Sequence, residues 1–459
     1  MMHTNQMELT DRRVLVVGLG RSGQAAARLC ARRGARVTVN DHRGAEALGE
    51  VLGALPPGVG AHLGDHPVEL FVSQDLIVLS PGVPALGALE AARRAGVEIL
   101  GEIELAARFV SSDIVGITGT NGKSTVTTWI GDMLSSGGRP LFVGGNLGEP
   151  LSAAVDTPAA APGGICVVEL SSFQLETCVS LRPRAALLLN LDADHLDRYP
   201  DMASYGAAKA RIFACQDEGD WAITNWDQPL CRRFLDRVSG QVAGFGLQNV
   251  PPSGATTEGD RIVISLPGRS PVTLLAARLR LVGRHNLENA LASALAAVLL
   301  GAEPGAVQES LDTFRGLPHR MELVGEVDGV RFYNDSKATN VSAVAGSLGG
   351  FPDRFVWVAG GRHKGAPYTS LRGVLGGQAK AIVLIGEAAD LIAADLEGVA
   401  PVFRAGSLEE AVGVAARLAA SKEAVVLSPA CSSYDMFSNF EERGACFAAA
   451  VMDLGRRSR

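Results

Sequence analysis

The chain has 459 residues, 47% of them apolar and 20% charged, which fits two or three folded α/β domains and argues against a disordered chain or a small disulfide scaffold. Its net charge of −7 gives no general attraction to nucleic acid or to an anionic membrane, so any phosphate must be held by a locally built site. The seven cysteines form no C-x-x-C pair and no regular spacing, the pattern of reduced thiols in a cytosolic protein.

The first ten residues lack the basic and apolar regions of a signal peptide. The most apolar helical stretch, "NALASALAAVLL" from Asn289, is too short to span a bilayer. A soluble, intracellular chain with no membrane insertion is therefore expected.

The first block opens with the strand "VLVV", which runs into Gly18-x-Gly20-x-x-Gly23 and a helix over Ser22–Arg33. The strands "RVTVN" and "DLIVLS" follow, the second ending at Ser80-Pro81-Gly82 before a helix over Leu86–Ala95. Alternating strands and helices imply parallel pairing through right-handed crossovers. The glycine turn, with Asp41 at the end of the second strand, is the signature usually read as a dinucleotide site. Taken alone it is a weak signal, because the glycines only permit the close approach of some diphosphate. An NAD-dependent oxidoreductase would rest on this motif alone.

The second block opens with "DIVGIT", a turn over Gly119–Gly122 and a helix from Lys123. Strands are expected at "ICVVEL", "AALLLNL", "RIVISL" and "LRLVG", and the alanine-rich helix after Asn286 closes the block. The third block begins after Gly316 and repeats strand and helix at "FVWVAGG", "AIVLIGEA" and "AVVLSPA". "LSP" ends a strand in both outer blocks, a hint of related doubly wound folds. The joints at Gly101 and Gly316 divide the chain into a Rossmann-like domain over 1–102, a central P-loop domain over 103–316 whose mostly parallel sheet has extra strands, and a second Rossmann-like domain over 317–459.

"GITGTNGKST" is the strongest chemical signal. A strand, a glycine turn and a helix opening at Gly-Lys-Ser surround phosphates with backbone N–H groups and a helix N-terminus. Gly119, Thr120, Asn121, Gly122, Lys123, Ser124 and Thr125 are thus expected to hold ATP, with Lys123 on the terminal phosphates and the Ser124 hydroxyl on Mg²⁺. The motif departs from its usual form in having Ile117 where the first glycine stands.

Around this loop the chain resembles the Mur ligases of peptidoglycan synthesis over essentially its whole length. Besides "GTNGKST", the matching pieces are "GGNLG" at Gly144, "ELSSFQLE" at Glu169, "DHLDRYP" at Asp194, "AAKARIF" at Ala207 and "GRHNLENALA" at Gly283. "GLPHRME" at Gly316, "NDSKATN" at Asn334 and "SPACSSYDMFSNFEERG" at Ser428 complete the set. The last piece points to the D-glutamate-adding branch, and the "DNPR" string of the diamino-acid-adding relatives is absent. The resemblance implies a bacterial cytoplasmic enzyme, a monomer, in which ATP phosphorylates the carboxylate of a UDP-muramoyl-alanine substrate. The amine of D-glutamate then displaces phosphate. Another ligase of the superfamily, such as a folylpolyglutamate synthetase, is the nearest competitor, and a non-catalytic nucleotide-binding module would leave the metal-ligand candidates without a purpose.

The same resemblance implies roles for particular residues. Lys123, His195, Lys209 and Lys337 are the catalytic candidates, and Ser124, Glu169, His195 and Lys209 the candidates for two Mg²⁺ ions. Lys209 would serve as a carbamate formed with CO₂, which turns a cation into an anionic oxygen ligand. A role for His195 as a general base stays open. Asn286, Asn289, His319, Arg320, Asp335 and Lys337 are implied ATP contacts. The UDP-substrate would meet Arg21, Ser22, Asp41, His42, Arg43, Ser80, Gly82, Asn146, Ser171 and Gln174, although helix capping explains Ser22 equally well. Thr339, Lys364 and Ser433 would take the carboxylates of D-glutamate, with Phe440 on the apolar side. Arg362 and His363 add positive charge where the family carries acidic or small residues, which leaves the role of Arg362 open.

Overall fold

The computed structural model describes residues 7–192, 198–279, 281 and 283–457. His195 lies outside them. The chain is α/β with three sheets, and each sheet belongs to one of the three blocks read from the sequence.

In the first sheet the strands are β1 (Arg13–Val17), β2 (Arg36–Asp41), β3 (Gly60–Leu63), β4 (Leu76–Leu79) and β5 (Glu98–Gly101). All are parallel, in the order β3-β2-β1-β4-β5. Val14, Leu15, Val16 and Val17 are all fully buried, as a central parallel strand covered on both faces requires.

The central sheet contains β6 (Asp113–Thr118), β7 (Leu141–Gly145), β8 (Ile165–Glu169), β9 (Ala185–Leu188), β10 (Trp221–Asn225), β11 (Gln241–Phe245), β12 (Gly254–Glu258), β13 (Arg261–Ser265) and β14 (Val272–Leu275). Its order is β14-β13-β12-β11-β10-β9-β6-β8-β7, parallel except at the β12-β13-β14 edge. The strand expected at "LRLVG" does not form: Leu279, Leu281 and Gly283 lie outside any strand, and Arg280 and Val282 lie outside the described residues. Leu281 instead packs over Gly316, where a Cβ would stand 2.9 Å from its Cδ2. The apolar alternation there serves side-chain packing, and "VTLL" supplies the edge strand.

The third sheet holds β15 (Glu322–Val327), β16 (Val330–Asn334), β17 (Phe355–Gly360), β18 (Ala379–Ile385), β19 (Val402–Arg404) and β20 (Ala424–Leu427). Its order is β15-β16-β20-β17-β18-β19. The run β19-β18-β17-β20 repeats the run β3-β2-β1-β4 of the first sheet, and the fifth place is filled by a strand that precedes the run rather than following it. Both "LSP" strings end the strand beyond the switch point. Ser80 N–H donates to the Val17 carbonyl at 3.0 Å and Ser428 N–H to that of Val358 at 3.1 Å, the same tie in each sheet.

Residues up to Leu279, with Glu288–Thr313, form one compact unit, and Arg280–Leu287 with Phe314–Arg459 form another. Within the first unit a single hydrophobic cluster runs from Val14, Leu76 and Leu100 of the first sheet to Cys166 and Leu188 of the central one. Among the described residues no helix is long and apolar enough to cross a membrane.

Candidate active site

β6 delivers the chain to a loop that ends in the helix Lys123–Ser135. Gly122 caps this helix at φ +81°, and a Cβ there would stand 2.5 Å from Asn289 Oδ1, so glycine is required by both backbone and neighbour. The loop is braced from the segment after β9: Asn121 N–H donates to Asn190 Oδ1 at 2.7 Å, Thr120 N–H to the Asn190 carbonyl at 3.0 Å, and Asp192 N–H to Thr120 Oγ1 at 3.0 Å. Asn190 and Asp192 were not legible as site residues, because nothing in "LLLNLD" marks a brace. Lys123 Nζ folds back onto the Gly119 and Thr120 carbonyls at 2.9 and 2.7 Å.

Lys209, in the helix Met202–Ala210, reaches the same place. Only 2% exposed, it donates to the Gly119 carbonyl at 2.8 Å and lies 4.7 Å from the centroid of the Tyr205 ring. Lys209 is thus a buried lysine beside the glycine loop, not a solvated one on the helix surface.

Glu169 ends β8 directly beside Ile117 of β6 and Gly145 of β7. Its Oε1 accepts from Asn146 Nδ2 at 2.8 Å, whereas Oε2 is buried with no hydrogen-bond partner. A buried carboxylate oxygen left without a donor is suited to a cation. With the buried Ser124 at the start of the neighbouring helix, the donor set fits Mg²⁺. Among the described residues no group of three or more His, Cys, Asp and Glu assembles, and His195 is outside them. Ser171 and Gln174 are held in a capping box, with Ser171 N–H on Gln174 Oε1 at 2.9 Å and Gln174 N–H on Ser171 Oγ at 3.2 Å. Their side chains secure the helix Ser172–Leu175, and Gln174 also lines a narrow cleft with Ser80, Pro81, Phe173 and Arg198.

In the first sheet Gly18 sits at φ +88°, and a Cβ on Gly23 would stand 1.8 Å from the Gly18 carbonyl oxygen, so the helix Arg21–Arg32 can approach β1 only through a bare glycine. Ser80 Oγ donates to that same carbonyl at 2.8 Å. The cap of the helix is Gly20, without a side-chain hydrogen bond, so Ser22 is not the cap. Asp41, expected to meet the UDP-substrate, is engaged by its own chain. Its carboxylate accepts Leu19 N–H at 2.8 Å, Arg43 N–H at 3.0 Å, and Nε and Nη2 of the Arg43 guanidinium at 2.9 and 2.8 Å, with the exposed His42 ring 3.3 Å away. The Arg43 hydrogen bonds hold it well below the usual carboxylate range. Asp41 therefore fixes the glycine turn and aims Arg43, while Arg21 and Gly82 stay exposed at the turn and the next strand end.

In the second unit, His319 is pinned between Asn334 Nδ2, 2.9 Å from its Nδ1, and Gly444, where a Cβ would come within 2.1 Å of that nitrogen. The Asp335 carboxylate is spent on Ser428 Oγ at 2.7 Å and Met321 N–H at 3.3 Å, and burial lifts it to about 6. Asp335 thus braces the loop that carries Arg320 and Met321. The Lys337 ammonium lies 5.4 Å from the Phe440 ring centroid, and that ring meets His319 edge-on, so Phe440 stands with the ATP candidates. Lys364 Nζ donates to Thr339 Oγ1 at 3.2 Å, and burial and Arg443 push its proton affinity down. Ser433 is buried. A cavity of about 370 Å³ is lined by Asn286, Pro318, Met321, Tyr333, Ser347 and Phe351. Asn286 therefore opens into this cavity while Asn289 lies against Gly122.

Sequence reasoning missed Arg443. It is 1% exposed and donates to Ser336 Oγ, the Ser336 carbonyl and the Cys431 carbonyl at 3.0, 2.9 and 3.2 Å, and among the described residues it pairs with no carboxylate. Burial brings it down to about 10. A charged residue in the first turn of a helix reads as surface, and only its neighbours reveal a buried cation.

Family models match three successive stretches: the Mur ligase MurD-like N-terminal domain over residues 12–101, the Mur ligase middle domain over 117–297 and the Mur ligase glutamate ligase domain over 319–431. The UDP-N-acetylmuramoylalanine–D-glutamate ligases of Anaeromyxobacter dehalogenans and Myxococcus xanthus are 48% and 45% identical to this chain, over 98% of it and 99% and 100% of their own lengths. Among solved structures, a pseudomurein peptide ligase type C from Methanothermus fervidus superposes with a TM-score of 0.58 at 19% identity, covering 98% of this chain and 100% of that one. The UDP-N-acetylmuramate-alanine ligase of Thermotoga maritima does so with 0.57 at 18%, covering 96% and 99%. At those identities the likeness concerns the fold.

Proposed function

The chain belongs to the Mur ligase family, and we propose that it catalyses the reaction for which its full-length relatives are named, joining D-glutamate to UDP-N-acetylmuramoyl-L-alanine at the expense of ATP. The alanine carboxylate attacks the γ-phosphorus of ATP, the bond to ADP breaks, and an acyl phosphate results. The amine of D-glutamate then attacks the acyl carbon, phosphate leaves, and the nitrogen loses a proton. Such a reaction needs positive charge where phosphoryl charge develops. The observation that carries the reading is the convergence of the Lys123 loop, buried Lys209 and the partnerless Glu169 oxygen at the ends of β6 and β8.

The loop N–H groups and Lys123 hold the phosphates of ATP. Ser124 and Glu169 would hold Mg²⁺, which when bound neutralises charge on the phosphoryl oxygens. His195 is proposed to complete the metal site or to take the amine proton. Lys209 is proposed to be carbamylated: a carbamate nitrogen keeps one N–H for the Gly119 carbonyl, and its oxygens become metal ligands. Asn286 and the cavity beside it suit the adenine, with Asn289, His319, Arg320, Asp335 and Lys337 around the nucleotide. The Gly18–Gly23 turn, with Arg43 aimed by Asp41, suits the UDP. Thr339, Lys364 and Ser433 suit the glutamate carboxylates, with Arg443 beneath them as a buried counter-charge. The corresponding domains are 1–102, 103–316 and 317–459, working as a monomer in the bacterial cytoplasm.

An ADP-release assay with UDP-N-acetylmuramoyl-L-alanine, comparing D-glutamate, L-glutamate and meso-diaminopimelate, tests the proposal. Turnover with D-glutamate alone is expected, and turnover only with another acceptor overturns it. For Lys209, an alanine variant is expected to be inactive and to regain activity with short-chain acids, and full activity without them rules the carbamate out.

A further inference from the structure

Lys364 stands on the loop that follows β17, next to Arg362 and His363, two residues that the proposed reaction leaves unused. Arg362 is tied down twice. Its backbone forms an isolated antiparallel bridge with Ser432, N–H to carbonyl at 2.9 Å in one direction and 3.1 Å in the other, which joins the Lys364 loop to the loop bearing Ser433. Its guanidinium meets Glu387, after β18, through two hydrogen bonds of 3.1 Å.

Glu387 is itself anchored. Its N–H donates to Asp435 Oδ2 at 3.0 Å, and Gly386, at φ +71°, leaves no room for a Cβ, which would stand 2.3 Å from that oxygen. Asp435 follows Ser433 by two residues. On the other flank His363 Nδ1 lies 3.0 Å from the Tyr368 hydroxyl, and that hydroxyl 3.0 Å from Cys431 Sγ. One connected network thus spans the loops at the C-terminal ends of β17, β18 and β20, the edge at which open α/β sheets bind their ligands.

We propose that Arg362, through Glu387, is a positioning residue for the amino-acid substrate, holding the loop so that the Lys364 ammonium stands at Thr339 before D-glutamate arrives. A lysine ammonium on a flexible stem binds a carboxylate more tightly when its backbone is already fixed, because less freedom is lost on binding. Arg362 does not itself contact substrate. This inference rests on the reading of Thr339, Lys364 and Ser433 as the glutamate pocket.

The test is initial-rate kinetics on the full chain at saturating ATP and UDP-substrate. Arg362→Gln and Glu387→Gln are each expected to raise the KM of D-glutamate by about threefold to fivefold, the range open to an exposed ion pair. Tyr368→Phe, which frees His363 without emptying the core, moves KM in the same direction. The exchanged pair Arg362→Glu with Glu387→Arg brings KM back towards wild type, and the KM of ATP stays unchanged throughout. An unchanged D-glutamate KM in both single variants overturns the proposal, as does a parallel rise in all three KM values with a loss of Tm. Lys364→Ala separates the two readings: if it leaves the D-glutamate KM unchanged, the pocket assignment has failed, whatever Arg362 does.

Discussion

Glu169 and Asp335 are both buried acids at the ends of parallel strands, and their hydrogen bonds assign them different tasks. Asp335 has a donor on each oxygen, whereas Glu169 keeps Oε2 buried with none. Glu169→Gln retains an acceptor for Asn146 and removes the charge, so it is expected to lower kcat by about 10²–10³-fold, the usual loss for one electrostatic stabiliser, with Tm unchanged or higher. A kcat within a factor of two of wild type at saturating Mg²⁺ would contradict a metal-holding role. At this scale the sequence was legible where a motif ties residue type to strand end, as at Lys123 and Glu169. It was illegible where a side chain is used by its own chain: Asp41 reads as a substrate contact, and only the fold reveals its four hydrogen bonds to Leu19 and Arg43.

The elements were readable where long apolar strands alternate with helices; short strands such as β5, β7 and β10 went unread, and two further failures have clear physical causes. "LRLVG" has the period of a strand but spends its leucine on Gly316. The β15-β16 hairpin went unread although its turn is announced by Asp328-Gly329, both in the left-handed region at φ +52° and +76°, as a two-residue hairpin needs. The glycine turn of the first sheet supports a sharper expectation. Gly23→Ala would place a methyl 1.8 Å from a backbone oxygen, and the helix Arg21–Arg32 must shift away from β1. We expect about 2–3 kcal/mol of lost stability in urea titrations, in the range of overpacking a tight contact, together with a raised KM for the UDP-substrate and an unchanged KM for ATP. Gly20→Ala serves as control, since nothing lies within 4 Å of its Cβ position. Equal losses in the two variants would contradict the close-approach explanation.

Across the whole molecule, the likeness of the outer sheets surfaced in the sequence only as a repeated "LSP", because doubly wound order is fixed by crossovers rather than by residue identity. The joint between the first and central sheets was marked by Gly101 alone, yet it carries two buried acids. Glu104 accepts N–H groups from Val179, Ser180 and Leu181 and pairs with Arg108, so both of its oxygens have donors. Glu102 has one hydrogen bond, from Ser152 N–H at 2.6 Å, while its Oε2 and the Ser152 hydroxyl are buried without partners, and burial lifts its carboxyl from 4.5 to about 7. A protonated Oε2 donating to Ser152 Oγ would satisfy both orphans. Between pH 4.5 and 7 the folded state then binds more protons than the unfolded chain, so stability is highest below that window and falls as pH rises through it. The loss totals about 3 kcal/mol once Glu102 ionises in place. One hydrophobic cluster links the two sheets, so the effect is expected in the unfolding of the whole unit. Glu102→Gln cannot ionise, and its stability relative to wild type should rise by a similar amount between pH 5 and pH 8 in urea titrations followed by fluorescence of the buried Trp129. A difference from wild type that stays constant across this range would mean that Glu102 does not titrate in the joint.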